Sequence, residues 1–255
     1  MDALLDLMTP FQLALALGLA AVAGLVKGLV GFAMPMILIS GLSSFLAPEL
    51  ALAGLILPTL VTNGWQALGQ GRAAAWAAMR KYRVFLITGG LCLLASSQLV
   101  TVLPAVILLL GLGVLFSGFA GLQLAGWRLH LRERSLRAEI SIAGIAGLIG
   151  GMSGVWGPPT VAYLTALSTP KQEQMQVQGV IYGLGAVLLC VAHMGSGVLR
   201  FDTVPLSLAL VAPALLGMWL GGRLQARIDQ EMFRRVTLLV LLVAGANLIR
   251  RGLIG

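Results

Sequence analysis

The sequence predicts an all-α polytopic membrane protein built as two inverted repeats, each an interrupted, re-entrant helical hairpin followed by three transmembrane helices. Three observations predict it: the composition, the continuity of the apolar blocks, and a glycine- and proline-rich motif that occurs twice. Of 255 residues, 58% are hydrophobic and 10% charged, with a mean hydropathy of +0.96, whereas a soluble domain carries about 25% charged residues. That balance excludes a water-soluble globule. At about 20 apolar residues per helical crossing, the chain has room for roughly eight blocks and little else. Residues 1–255 are therefore expected to form a single transmembrane domain.

The apolar runs are continuous, as in LALALGLAAVAGLV (13–26) and VTLLVLLVAGANLI (236–249). Continuity excludes the alternating strands of an outer-membrane barrel and predicts helices. Blocks fall at 11–46, 50–69, 84–100, 104–126, 140–168, 173–196, 205–222 and 236–250. The start of the chain carries Asp2 and Asp6 where a cleavable signal would carry Lys or Arg, so the first helix is expected to be retained.

Two blocks are interrupted by clustered Gly and Pro, and they match at an offset of 123 residues: AGLVKGLVGFAMP (23–35) and AGLIGGMSGVWGP (146–158), with six identities in thirteen positions. The glycines align in register and a proline closes each motif at the same end. Ala47-Pro48-Glu49 and Thr169-Pro170-Lys171 then mark the same corner after each. The chain reads as a duplication, with repeats at 11–126 and 140–251.

Basic residues set the orientation. Arg72, Arg80, Lys81 and Arg83 fill one loop, Arg128, Arg132, Arg134 and Arg137 a second, and Arg223, Arg227, Arg234 and Arg235 a third; all three are expected on the cytoplasmic side. The block at 140–168 must then enter and leave on one face. It is too short for two crossings and suits two half-helices joined at the Gly/Pro cluster. If block 11–46 behaves likewise, each half has three full crossings, an odd number, which inverts the second half relative to the first. Arg250 and Arg251 fall outside, against the rule.

Irregular backbone at membrane depth is tolerated only where it is buried in protein or lines a cavity. Pro35 and the pair Pro158-Pro159 follow the glycine breaks, where proline suits the first turn of a new helix. Such a start offers free N–H groups and about half a positive charge, which favours an anion. None of the nine acidic residues lies in the middle of an apolar block, but Lys27 does, four residues before Gly31. A lone cation there faces either an anion pathway or, by snorkelling, an interface.

Thr62, Asn63 and Gln66 recur at helical spacing after the first break, and Gln174, Gln178 and Tyr182 after the second; they line the route or bond helix to helix. Trp156 and Tyr163 flank the second break, and Trp156 either gates or packs. The candidate substrate-binding set is Lys27, Gly28, Gly31, Phe32, Pro35, Asn63, Gln66, Gly151, Ser153, Gly154, Trp156, Gly157, Pro158, Tyr163, Gln178 and Tyr182.

Cys92 and Cys190 stand alone in apolar runs, which indicates neither a disulfide framework nor a metal site. No cofactor is expected. The net charge of +8, from 17 basic and nine acidic residues, sits in interhelical loops, so it indicates membrane orientation and not nucleic acid. No P-loop is present, so ATP is not a direct energy source within the chain.

An enzyme reading exists. Gly151-Met-Ser153-Gly154 with Ala192-His193-Met-Gly-Ser196 resembles the Ser and His motifs of rhomboid intramembrane proteases, in which His activates Ser. Spacing argues against it, since Ser153 sits at a break and His193 about 20 residues into a helix, about 15 Å apart in depth at the α-helical rise. In addition, Val30 aligns with Ser153 in the first half.

The chain resembles the sulfite exporter TauE/SafE family over nearly its whole length. The residues that carry this are Gly24, Lys27, Gly28, Gly31 and Phe32 in the first half, and Gly147, Gly150, Gly151, Gly154, Gly157, Pro158, Pro159, Tyr163 and Leu164, followed by Pro170 and Lys171, in the second. The resemblance implies a multi-pass permease of the cytoplasmic membrane that moves sulfite or organosulfur anions. It further implies a role for Lys27 near the anion path, where family members often carry a basic residue, commonly Arg. Lys replaces a bidentate fork with a point charge, and Met34 stands where the second half has Gly157. Expected partners are a small anion and the lipid bilayer, and a homo-oligomer is allowed. A membrane accessory protein without transport is the remaining alternative.

Overall fold

The computed structural model describes residues 7–97, 105–127, 131, 133–153, 156–195, 199 and 201–254. Among them are eleven helices and no strand. In chain order they are α1 (Pro10–Val30), α2 (Met34–Leu42), α3 (Pro48–Leu68), α4 (Arg72–Lys81), α5 (Arg83–Ser97), α6 (Ala105–Leu124), α7 (Leu136–Ser153), α8 (Gly157–Ala166), α9 (Lys171–Gly195), α10 (Val204–Arg227) and α11 (Gln230–Ile254). Both Gly/Pro-interrupted blocks are broken into two helices, with a long first arm and a short second one: 21 and 9 residues in α1 and α2, 18 and 10 in α7 and α8. The arms are thus unequal, and α7 is the longer of its pair because it begins at Leu136, ahead of the apolar block.

Among the described residues, α1, α10 and α11 are long and apolar enough to cross a membrane. Helix α3 carries Thr59, Thr62, Asn63 and Gln66, all buried. The first basic stretch is not an open loop, because its alanines at 73–75, 77 and 78 are strong helix formers and make α4.

The chain divides into two compact units, Met1–Arg72 with Gly179–Ile228 and Ala73–Gln178 with Asp229–Gly255. In the first, α1 packs along α10, and α2 fills the angle between α1 and α3. Their apolar faces meet in a core that includes Ala20, Met34, Leu38, Leu42, Leu55, Leu210 and Ala214. Thr9 caps α1 through a reciprocal pair of bonds with Gln12, and Pro10 occupies its first turn.

The α1–α10 seam is a contact of backbones. A Cβ on Gly24 would lie 2.1 Å from Ala214 O and one on Gly28 2.1 Å from Met218 O; from the other side, Gly217 and Gly221 press equally on Ala21 and Leu25. Both helices read Gly-x-x-x-Gly there, the small-residue spacing that lets membrane helices close in the absence of a hydrophobic drive. With one face of α1 sealed, Lys27 is turned towards α3.

Helix α3 contains Pro58, which has no N–H to give the Gly54 carbonyl. Ser207 of α10 replaces it: its hydroxyl donates to Gly54 O at 3.2 Å and accepts from Leu57 N at 3.0 Å. Thr62 in turn donates to Pro58 O at 2.6 Å. A side chain from a neighbouring helix therefore restores the ladder just before the segment that carries Asn63 and Gln66.

In the second unit α7 packs on α5, α6 on α11, and α8 on both α7 and α6. Gly147 repeats the role of Gly24, its motif counterpart, since a Cβ there would stand 2.2 Å from Gly89 O. The mouth of the second hairpin is braced by charge. Arg134 Nη2 spans both Glu139 carboxylate oxygens at 2.9 and 2.7 Å and also donates to Lys81 O at 2.7 Å. Glu139 accepts from Phe85 N at 3.2 Å, capping the start of α5. The Arg134 guanidinium lies 4.3 Å above the Tyr82 ring, and Lys81 pairs with Glu173 at the start of α9. Gln230 of α11 accepts from Lys171 N at 2.9 Å and donates to Thr169 O at 3.2 Å.

Burial opposes the Arg134 charge, but the bonded Glu139 carboxylate overrides it and holds the guanidinium above its ordinary range. Burial, reinforced by Glu173, pushes the Tyr82 hydroxyl up to about 12.

Three outcomes follow. Gly147→Val or Gly24→Val should lower the stability of the detergent-solubilised protein by about 1–3 kcal/mol or more through overpacking, whereas Gly18→Ala, with open space around it, should gain up to about 1 kcal/mol; thermal melts compare them. Ser207→Ala should cost about 1–3 kcal/mol by orphaning a buried carbonyl. For Tyr82 the neutral form is favoured in the folded state, so its contribution is complete below the unfolded value of about 10 and is lost as pH rises through about 12. Tyr82→Phe should therefore flatten the fall in melting temperature across that alkaline window.

Candidate functional site

The break after α1 is made by two left-handed residues. Gly31 has φ 87° and returns its N–H to Lys27 O at 2.6 Å; Ala33 has φ 74°. Glycine takes that conformation freely, but alanine is strained there by roughly 1–2 kcal/mol. Pro35 then occupies the first turn of α2, where a missing N–H costs nothing. Phe32 and Met34 are buried on either side of Ala33, and Met34 Sδ lies 3.7 Å from the Thr62 hydroxyl.

Lys27 sits one turn before this break and is 1% exposed. Its ammonium donates to Asn63 Oδ1. Asn63 is itself oriented, because its Nδ2 donates to the Tyr182 carbonyl at 3.1 Å. The Tyr182 ring lies 6.0 Å from Lys27 Nζ, and Gln66 Nε2 donates to Gly31 O at 3.1 Å, holding the carbonyl at the break. Among the described residues no carboxylate comes within ion-pair distance of Lys27. Among the described residues the closest compensation is one amide oxygen and the face of one aromatic ring.

Five of the residues singled out in the sequence thus meet around the first break: Lys27, Gly31, Asn63, Gln66 and Tyr182. Phe32 and Pro35 belong to its backbone turn. Gly28, although adjacent to Lys27, faces α10 and serves the seam.

In the second hairpin Pro158 and Pro159 form the first turn of α8 after Gly157, with Trp156 at its N-cap. Trp156 folds back on α7, where a Cβ on Gly150 would collide with its ring at 2.8 Å; between gating and packing, this contact is packing. Tyr163 stacks on Phe85 with ring centroids 6.1 Å apart, and among the described residues its hydroxyl, which lies near Arg134, has no hydrogen-bond partner of good geometry. Gln178 is fully buried in α9. Gly151 and Ser153 lie in the last turn of α7, but the Ser153 side chain, the His193 side chain and Gly154 lie outside the described residues.

Ala33 escaped the sequence reading, since nothing about an alanine announces a left-handed turn. The Arg134–Glu139 brace escaped it too. Glu139 borders the apolar block at 140–168 and looks like a loop acid, yet it is 4% exposed; its position in the first turn of α7 was the available signal.

A family model described as sulfite exporter TauE/SafE aligns with residues 16–248, and no curated protein or solved structure matches. The matched stretch takes in both breaks, the charged brace and all of the candidate residues. The family is one of membrane transporters and not of enzymes, which removes the protease reading of Ser153 and His193. From residue 16 to residue 248, this chain belongs to the sulfite exporter TauE/SafE family.

Proposed function

We propose that the protein is a secondary transporter that moves a small sulfur oxyanion or organosulfonate, such as sulfite, across the cytoplasmic membrane by alternating access between inverted repeats at 11–126 and 140–251. The observation that carries the reading is Lys27: a buried ammonium beside a helix break, given an amide in place of a carboxylate. A lysine at the centre of a membrane helix costs about 2.5–3.5 kcal/mol on insertion scales. An acid partner would offset that cost at all times; an amide leaves room for an anion to do so while it is bound. The first-turn amides of α2 begin just past Ala33 and lack intrahelical acceptors, adding donors of the same sign.

The duplication is supported by the reciprocity of its packing. The long arm of the first hairpin lies on α10, from the second half, and the long arm of the second lies on α5, from the first, each through the same motif glycine. The last helices of the halves, α6 and α11, pair with each other. Gly151, Ser153, Gly154, Trp156, Gly157, Pro158, Tyr163 and Gln178 form the corresponding set of the second half in this reading. With no nucleotide motif, the energy source is the gradient of the anion or of a coupled ion.

Flux of radiolabelled sulfite into proteoliposomes tests this. Wild type should transport, and Lys27→Gln, which keeps a donor for Asn63 but no charge, should bind and move the anion about 10- to 100-fold less well, the scale of one hydrogen bond to a charged group. Absence of flux for sulfite, thiosulfate and short sulfonates, with folded protein in the vesicles, would overturn the proposal.

A further inference from the structure

Lys27 is held by a partner that suits its neutral form as well as its charged one. Asn63 Oδ1 is fixed as an acceptor because Nδ2 is committed to the Tyr182 carbonyl, and an amine and an ammonium can both donate to it. Among the described residues of the unit that holds Lys27, the neighbours of α1 offer it no acid: α3 presents Thr59, Thr62, Asn63 and Gln66, α2 presents Met34, Met36 and Leu38, and α10 presents Ala214, Gly217, Met218 and Gly221. Among the described residues, Tyr182 is the other titratable group facing it. A positive charge at this place is therefore balanced only while an anion is bound. Without one, the amine keeps its hydrogen bond and carries no charge to compensate.

Resting on the reading of Lys27 as the anion site, we infer that each anion is carried together with one proton, taken up by Lys27: the empty site holds the amine, the loaded site the ammonium–anion pair. The step makes one N–H bond on Nζ from a proton supplied by the aqueous side that delivers the anion. The same bond breaks, and the proton leaves, on the side where the anion departs. Nothing is oxidised or reduced. For a monovalent anion the loaded and empty sites then have equal charge, so the reorienting protein crosses the membrane field without moving net charge.

The test uses the full-length purified protein, with thiosulfate and ethanesulfonate as probes because neither changes charge near neutral pH, and sulfite beside them. Calorimetry in buffers of different ionisation enthalpy reads the protons taken up per anion bound. The expected result is up to about one proton per anion, with the Kd of a fixed-charge probe rising about tenfold per pH unit at the alkaline end. Lys27→Arg, which stays charged, should bind with no proton uptake and a Kd flat in pH. Tyr182→Phe should retain the uptake.

Anion binding by wild type with no proton uptake and a pH-independent Kd would overturn this inference and leave the transporter reading standing. Loss of uptake in Tyr182→Phe would overturn the assignment to Lys27. Failure of all three anions to bind folded wild type would overturn both readings together. Should Lys27→Arg fail to fold, the wild-type and Tyr182→Phe titrations decide.

Discussion

A buried lysine with no acid partner among the described residues is the constraint around which the first unit is arranged. The helix that carries it is closed on one side by backbone contact and on the other by amide side chains. The arrangement is costly and specific at once. Each neighbour has a second task that fixes it: Asn63 bonds the Tyr182 carbonyl, Gln66 bonds Gly31, and Pro58 is accommodated by Ser207 so that α3 can present both amides.

The two units solve the same packing problem with different chemistry at the break. In the first, a left-handed glycine and a left-handed alanine turn the chain, and a charge lies beside them. In the second, Trp156 fills the space over Gly150, and charge is confined to the hairpin mouth, where Arg134 and Glu139 satisfy each other. The shared glycines place the arms, while the residues between them differ, as Lys27 and Gly150 do at aligned positions.

Much of this was legible in the sequence because it rests on the solvent and on backbone chemistry. Continuous apolar runs had to be helices, clustered glycines before a proline had to end one helix and start another, and an isolated lysine in an apolar run had to have a reason. The i, i+3, i+4 spacing of Thr62, Asn63 and Gln66 put them on one face, and they share it. What the sequence could not show depends on partners far along the chain. Ser207 answers Pro58 across 149 positions, Glu139 caps a helix that begins at Arg83, and Gly28 turns from Lys27 because α10 occupies that side. Local pattern carries no information about which distant element arrives.

The glycine seam between α1 and α10 has a mechanical consequence. Two main chains that touch only because certain positions lack a Cβ can meet in one axial register, since sliding one helix along the other would bring side chains onto those positions. Gly24, Gly28, Gly217 and Gly221 thus index the lysine-bearing rod: they fix its height against α10 and with it the depth of Lys27.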